Sequence, residues 1–107
     1  MSERPKTIFC DLDGTLVKHC GDVILTADPN YELEVLPGVH DKLREWDMKS
    51  YWVIIATGRK EGVRAATETQ LQRAGIIYNQ LIMGFGGGAL IAAPMNEALI
   101  RHFYAAP

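Results

Sequence analysis

Cysteine is scarce in this chain: Cys10 and Cys20 are the only two in 107 residues. That is too few for a disulfide framework. No apolar stretch reaches the ~18 residues that a membrane span needs. The opening Met-Ser-Glu-Arg-Pro-Lys has none of the apolar core of a secretory signal. Cytoplasm is therefore the expected compartment, with no membrane partner. Neither sign of charge dominates, since 11 Lys and Arg stand against 13 Asp and Glu for a net charge of -2. A nucleic-acid surface is not expected from such a balance. Repeats, low-complexity tracts and linkers are also missing. The remainder is ordinary for a soluble globular protein, at 48% apolar and 22% charged. Its length suits one domain, 1–107, with a modest core.

Hydrophobic patterning sets out the elements. Lys6 to Leu12 reads as a buried strand, with Ile8, Phe9 and Leu12 as its apolar bulk. Leu16 to Val35 reads as a small hairpin or flap, containing the β-prone run Val23-Ile24-Leu25-Thr26 and the turn Asp28-Pro29-Asn30. Pro37-Gly38 opens a helix whose Val39, Leu43 and Trp46 fall on one face. Tyr51 to Ala56 is a continuous apolar run, expected as a fully buried strand. A second helix fits Lys60 to Ala74, with Val63, Ala66, Leu71 and Ala74 inward and Gly75 as its stop. Leu81-Ile82-Met83 is a third strand, and the glycine-rich Gly84 to Gly88 is a loop. Leu90 to Ala93 is a weak fourth strand, and Met95 to Tyr104 a last helix. Strands that alternate with helices imply an α/β sandwich of three layers, Rossmann-like, with a mainly parallel sheet and right-handed crossovers.

Chemistry concentrates at the end of the first strand, in Phe9-Cys10-Asp11-Leu12-Asp13-Gly14-Thr15-Leu16. Side chains alternate along a strand, so Asp11 and Asp13 would point the same way if the strand ran through both. Two carboxylates that close repel unless a cation or a proton separates them, and a divalent metal would remove the conflict. Gly14 permits the tight turn and lets a phosphate approach the backbone. Cys10, inside the strand, reads as a small buried hydrophobe.

This stretch resembles the first motif of the haloacid-dehalogenase-like phosphatases, Asp-x-Asp-Gly-Thr after an apolar strand, at every position. The resemblance implies that Asp11 attacks phosphorus and that Asp13 serves as general acid and base. Ile54-Ile55-Ala56-Thr57-Gly58-Arg59 resembles the second motif of that family, in which the threonine hydroxyl binds the transferring phosphoryl group. Gly58 and the start of the following helix would add N–H donors. Arg59 is read either as a phosphate contact or as a solvated loop charge, and Lys60 as a further substrate-side cation. The implied cofactor is Mg²⁺, held by the Asp11 carboxylate and the Asp13 backbone carbonyl. The implied activity is hydrolysis of a phosphomonoester through an aspartyl-phosphate. The implied substrate is a small phosphorylated sugar or similar metabolite. About twenty residues between Thr15 and Pro37 leave room for a flap and not for a cap domain, so a homo-oligomer would be one way to cover the site.

The last third departs from the family pattern. Members carry a lysine and one or two further acids there, yet no lysine follows Lys60, and Leu90-Ile91 runs into Ala92-Ala93-Pro94. Asn96 or Glu97 would be the substitute metal ligand, and Lys60 or Arg64 the substitute charge. This departure supports an alternative in a different class, a non-catalytic phosphate- or partner-binding protein with an incomplete metal site. A receiver-type phosphoacceptor fits less well, because no acid ends the third strand. Gly84-Phe85-Gly86-Gly87-Gly88-Ala89 mimics a dinucleotide fingerprint, but Pro94 stops any helix it would open. His19, His40 and His102 form no metal-ligand spacing, and His19 is read as part of the flap.

Overall fold

The structure, a computed structural model, describes residues 5–84. Three parallel strands form the sheet in the order β1-β2-β3. They are β1 (Thr7–Asp11), β2 (Trp52–Ala56) and β3 (Gln80–Ile82). Between them lie α1 (Val23–Thr26), α2 (Val39–Met48) and α3 (Arg64–Arg73). The glycine-rich loop beyond Gly84, the strand expected at Leu90 to Ala93 and the helix expected at Met95 to Tyr104 lie outside the described residues. So do Asn96 and Glu97.

A sheet whose strands follow one another in sequence order, with right-handed crossovers, carries its connecting helices on one face. The core agrees. Ile8 and Cys10 of β1, Val53 and Ile55 of β2 and Leu81 of β3 share one cluster with Leu43 and Trp46 of α2 and Leu71 of α3. These strand residues alternate along the chain, as a pleat requires. The other face is more open, since Phe9 is 38% and Trp52 51% exposed. The buried strand expected at Tyr51 to Ala56 is found, with Trp52 alone exposed, whereas β1 is corrected to a strand buried on one face, its Thr7 and Phe9 standing on the other.

The flap also differs from its sequence pattern. Its base is hairpin-like, with Val17 bridged antiparallel to Val35 and Lys18 N–H donating to the Glu34 carbonyl at 2.8 Å. Its β-prone run is nonetheless helical, as α1. Asp22 decides this, because its Oδ1 accepts from the Ile24 N–H at 2.8 Å and the Leu25 N–H at 3.4 Å. Those are the donors a helix start leaves open. Local capping outweighs β-branching here. The second expected helix likewise begins as a 3₁₀ turn, Glu61–Val63, before α3 proper.

Both long helices end in the same motif. At α3, Ile76 N–H reaches the Leu71 carbonyl and Gly75 N–H the Gln72 carbonyl, each at 3.1 Å, with Gly75 at φ 71°. At α2, Tyr51 N–H reaches the Trp46 carbonyl at 2.9 Å and Ser50 N–H the Asp47 carbonyl at 3.0 Å. This is the Schellman pattern, which needs a left-handed residue after the helix. At α2 that residue is Ser50, at φ 61°, where a side chain is strained. Ser50→Gly is therefore expected to stabilise the fold by about 0.5–1 kcal/mol. Urea unfolding of the two proteins checks this, and a loss of stability would contradict it.

Candidate active site

The carboxyl ends of β1 and β2 lie side by side. Asp11 is in register with Ala56, and Thr57 follows directly. Thr57 N–H donates to the Ile82 carbonyl at 2.9 Å, so the junction is tied to β3 as well. Ligand sites of parallel sheets form at such an edge.

Past Asp11 the chain turns sharply. The Leu12 carbonyl accepts from the N–H groups of Thr15, Leu16 and Val17 at 3.0–3.3 Å. Gly14 sits at φ 87°, a backbone conformation that a side chain would strain. β1 consequently stops at Asp11, and Asp13 forms an isolated bridge to Val17. The strand does not run through both acids, but they remain electrostatic neighbours. The Asp11 carboxyl is held above the ordinary carboxylate range, chiefly by burial. The Leu12 N–H on its Oδ1, at 2.8 Å, works the other way. Asp13 raises it further, and His19 lowers it.

Asp13 is held differently. Arg59 Nε donates to Asp13 Oδ2 at 3.0 Å and Nη2 to Oδ1 at 2.9 Å. This is the two-pronged fork of a guanidinium on a carboxylate. Arg59 Nη1 donates to Gln70 Oε1 at 2.7 Å and to Thr67 Oγ1 at 3.3 Å. The Arg59 side chain is only 5% exposed and that of Asp13 16%. The reading of Arg59 as a solvated loop charge is corrected: the guanidinium lies inside, with all its nitrogens donating to protein groups. Thr67 and Gln70 were not singled out in the sequence. The signal was there, in two polar residues on the same stripe of α3 as Ala66 and Leu71, and both are fully buried.

Thr57 is buried, and its hydroxyl oxygen accepts from the Arg59 N–H at 3.2 Å, which leaves the hydroxyl proton free to donate. Gly58 and Lys60 are exposed. Together with Asp13, Cys20, Val23 and Thr26 they line a cleft of about 240 Å³ between α1 and the β2–α3 junction. A wider hollow of about 600 Å³ runs over Glu68, Gln72 and Tyr78, away from the acids. Arg64 is committed to Glu61, at 2.7 and 3.1 Å, and to the Leu81 carbonyl at 3.2 Å. Of the two candidate substitute charges, Lys60 is the one that borders the cleft. Burial pushes the Cys10 thiol up to about 12, with Asp11 adding to it, so Cys10 stays an uncharged core residue.

Among the described residues no cluster of three or more His, Cys, Asp or Glu side chains forms a metal cage. The donors that β1 offers are nonetheless of the right chemistry for a hard cation, which takes oxygen ligands. Asp11 is a desolvated carboxylate beside a second acid. The Asp13 carbonyl accepts no hydrogen bond among the described residues, in contrast to the crowded Leu12 carbonyl next to it. These two oxygens fit part of a Mg²⁺ shell.

No family model matches the chain, and no curated protein matches it. Solved structures do. A chain of the Pnkp1/Rnl/Hen1 RNA repair complex shares 30% identity over 80% of this chain, with a TM-score of 0.63. A second structure of the Pnkp1/Rnl/Hen1 complex gives 28% identity over 92%, with a TM-score of 0.64. The present chain spans only 28% and 32% of those two chains. A Vibrio cholerae protein aligns over 92% of this chain and 96% of its own, at 18% identity and a TM-score of 0.63. The D,D-heptose 1,7-bisphosphate phosphatase of B. bronchiseptica, solved with magnesium and phosphate, aligns over 80% of this chain and 54% of its own, at 18% identity and a TM-score of 0.58. The last two likenesses speak for the fold, a Rossmann-like sandwich. Taken with the Asp-x-Asp-Gly-Thr turn at the tip of β1, these neighbours place the chain in the haloacid-dehalogenase-like hydrolase superfamily.

Proposed function

We propose that this protein is a Mg²⁺-dependent phosphomonoester hydrolase that works through an aspartyl-phosphate on Asp11. One observation carries the reading: two neighbouring acids at the shared edge of β1 and β2 have different surroundings. Asp11 has no cationic side chain bonded to it among the described residues, whereas Asp13 is clamped by Arg59. The acid without a cationic partner is the one open to a metal ion and a phosphoryl group, and the clamped acid is held in a fixed place at the cleft. An Asp11 oxygen attacks phosphorus, and the bond from phosphorus to the leaving oxygen breaks. Asp13 gives that oxygen a proton, then takes one from the water that cleaves the aspartyl-phosphate. Thr57 Oγ1–H, the Gly58 N–H and Lys60 stabilise the oxygens of the transferring group. Bound at the Asp11 carboxylate and the Asp13 carbonyl, Mg²⁺ would supply neutralisation of phosphoryl charge.

The substrate follows from the cleft. About 240 Å³ beside Asp13, with Lys60 at its rim, suits the leaving portion of a small phosphorylated sugar or related metabolite. On this reading residues 1–107 act as one domain, the flap at about 16–35 closes one side, and a second copy covers the rest. The identity of 28–30% to chains of an RNA repair complex favours a second substrate, a phosphorylated RNA end.

The test is a hydrolysis panel of p-nitrophenyl phosphate, hexose phosphates and a phosphorylated oligoribonucleotide, each with Mg²⁺ or with EDTA. Turnover of at least one phosphomonoester that EDTA abolishes and Mg²⁺ restores is the expected result. The substrate with the highest kcat/KM identifies the class. No turnover of any member would leave the non-catalytic phosphate-binding reading in its place.

A further inference from the structure

We infer that Gln70 is a positioning residue that couples the flap to the Arg59–Asp13 pair. The inference rests on the proposed role of Asp13 only for its kinetic consequence. Gln70 is fully buried at 0% exposure, which is rare for a primary amide and demands that its polar atoms be satisfied. Its two ends serve different parts of the molecule. Oε1 accepts from Arg59 Nη1 at 2.7 Å. Nε2 donates into the flap, to the Asp28 carbonyl at 2.8 Å and the Thr26 carbonyl at 3.1 Å, with the Leu25 carbonyl further off at 3.4 Å. One side chain thus binds carbonyls at the end of α1 and just beyond it, and steadies the guanidinium that grips Asp13. An amide alone among side chains of this length offers an acceptor at one atom and two donors at the other.

The consequence is mechanical. If the flap lifts, Gln70 loses its donors' partners and turns, and Arg59 loses a short bond on the face opposite Asp13. The Asp13 carboxylate is then no longer fixed against the cleft that α1 itself borders. Flap closure and orientation of the proton carrier are one event.

The first measurement uses the unaltered protein: hydrogen exchange by NMR at the Gln70 side-chain amide and at Arg59 Nε–H. Both are expected to exchange at least about 100-fold slower than free side chains, as buried bonded groups do. Exchange at the free rate would overturn the coupling. Gln70→Leu removes both contacts and is expected to lose protection at Arg59 Nε–H and at the flap amides of residues 26–28. Gln70→Glu keeps an acceptor for Arg59 but has no donor, so Arg59 protection should survive while flap protection falls. If Arg59 is equally protected in Gln70→Leu, the relay is refuted; if Gln70→Leu does not fold, Gln70→Glu and the unaltered protein still decide.

Kinetics then separate positioning from bulk stability. A proton carrier matters more for a poor leaving group, so Gln70→Leu should lower kcat on an alkyl phosphomonoester by about 10–100-fold. The loss on p-nitrophenyl phosphate should stay below about threefold, with KM little changed in both cases. Equal losses on both substrates would mean that Gln70 only supports the fold. An unaltered protein that hydrolyses nothing, yet shows the exchange pattern above, would refute the proposed activity and leave the coupling standing.

Discussion

Asp11→Asn is expected to cut phosphomonoester turnover by about a thousandfold or more, because the carboxylate that attacks phosphorus is gone. The same change should make the metal-free fold more stable at neutral pH. Burial and the nearby Asp13 hold the Asp11 carboxyl above its ordinary range. The folded protein therefore binds a proton at Asp11 more tightly than the unfolded chain does. Stability must then fall as pH rises from the ordinary carboxylate range through the raised value, and the cost persists at neutral pH. Asparagine carries no charge to desolvate and keeps an oxygen for the Leu12 N–H, so it removes both the cost and its pH dependence. Urea unfolding in EDTA at pH 4.5 and pH 7, beside a phosphatase assay in Mg²⁺, checks both halves. An inactive variant that is also less stable at pH 7 would show that Asp11 is structural, and retained activity would remove it as nucleophile.

Arg59→Met is expected to destabilise the protein by about 3–5 kcal/mol, the usual cost of removing one partner from a buried ion pair. Asp13 would be left little exposed without its counter-charge, and Gln70 Oε1 and Thr67 Oγ1 would lose a donor. Total stabilities of domains are about 5–15 kcal/mol, so this single change consumes a large share. With a urea slope of about 1–3 kcal/mol/M, the midpoint should drop by about 1 M or more. Lysine is no substitute, because an ammonium cannot span both carboxylate oxygens and reach Gln70 as well. Asp13→Asn should destabilise in the same direction, by stranding the guanidinium charge. A midpoint for Arg59→Met within about 0.2 M of the unaltered protein would mean that the fork contributes nothing.

Much of the site was legible in the chain because its parts are local. Asp11, Asp13 and Gly14 fall within one turn, and their meaning comes from adjacency. The run Tyr51–Ala56 ending at Thr57 reads as a strand with a loop beyond it, and the parallel order of β1, β2 and β3 follows from helices placed between strands. Other features were not legible. Val23-Ile24-Leu25-Thr26 has strand composition and is helical, since Asp22 supplies the donors' partner and the turn is too short for propensity to prevail. Arg59 reads in the sequence either as a phosphate contact or as a loop charge, because nothing near it in sequence pairs with it. Asp13 is 46 positions away and Gln70 is 11.

The chain's own order of residues dictated the alternating strands and helices, the stop at Gly75 and the acidic turn after β1, all consequences of contacts within a few residues. The burial of Arg59, its grip on Asp13 and the bond from Gln70 to a flap 42 residues away were decided only when the elements packed. A charge goes inside when distant groups meet to take a hydrogen bond from each of its nitrogens, and no local spacing records that meeting.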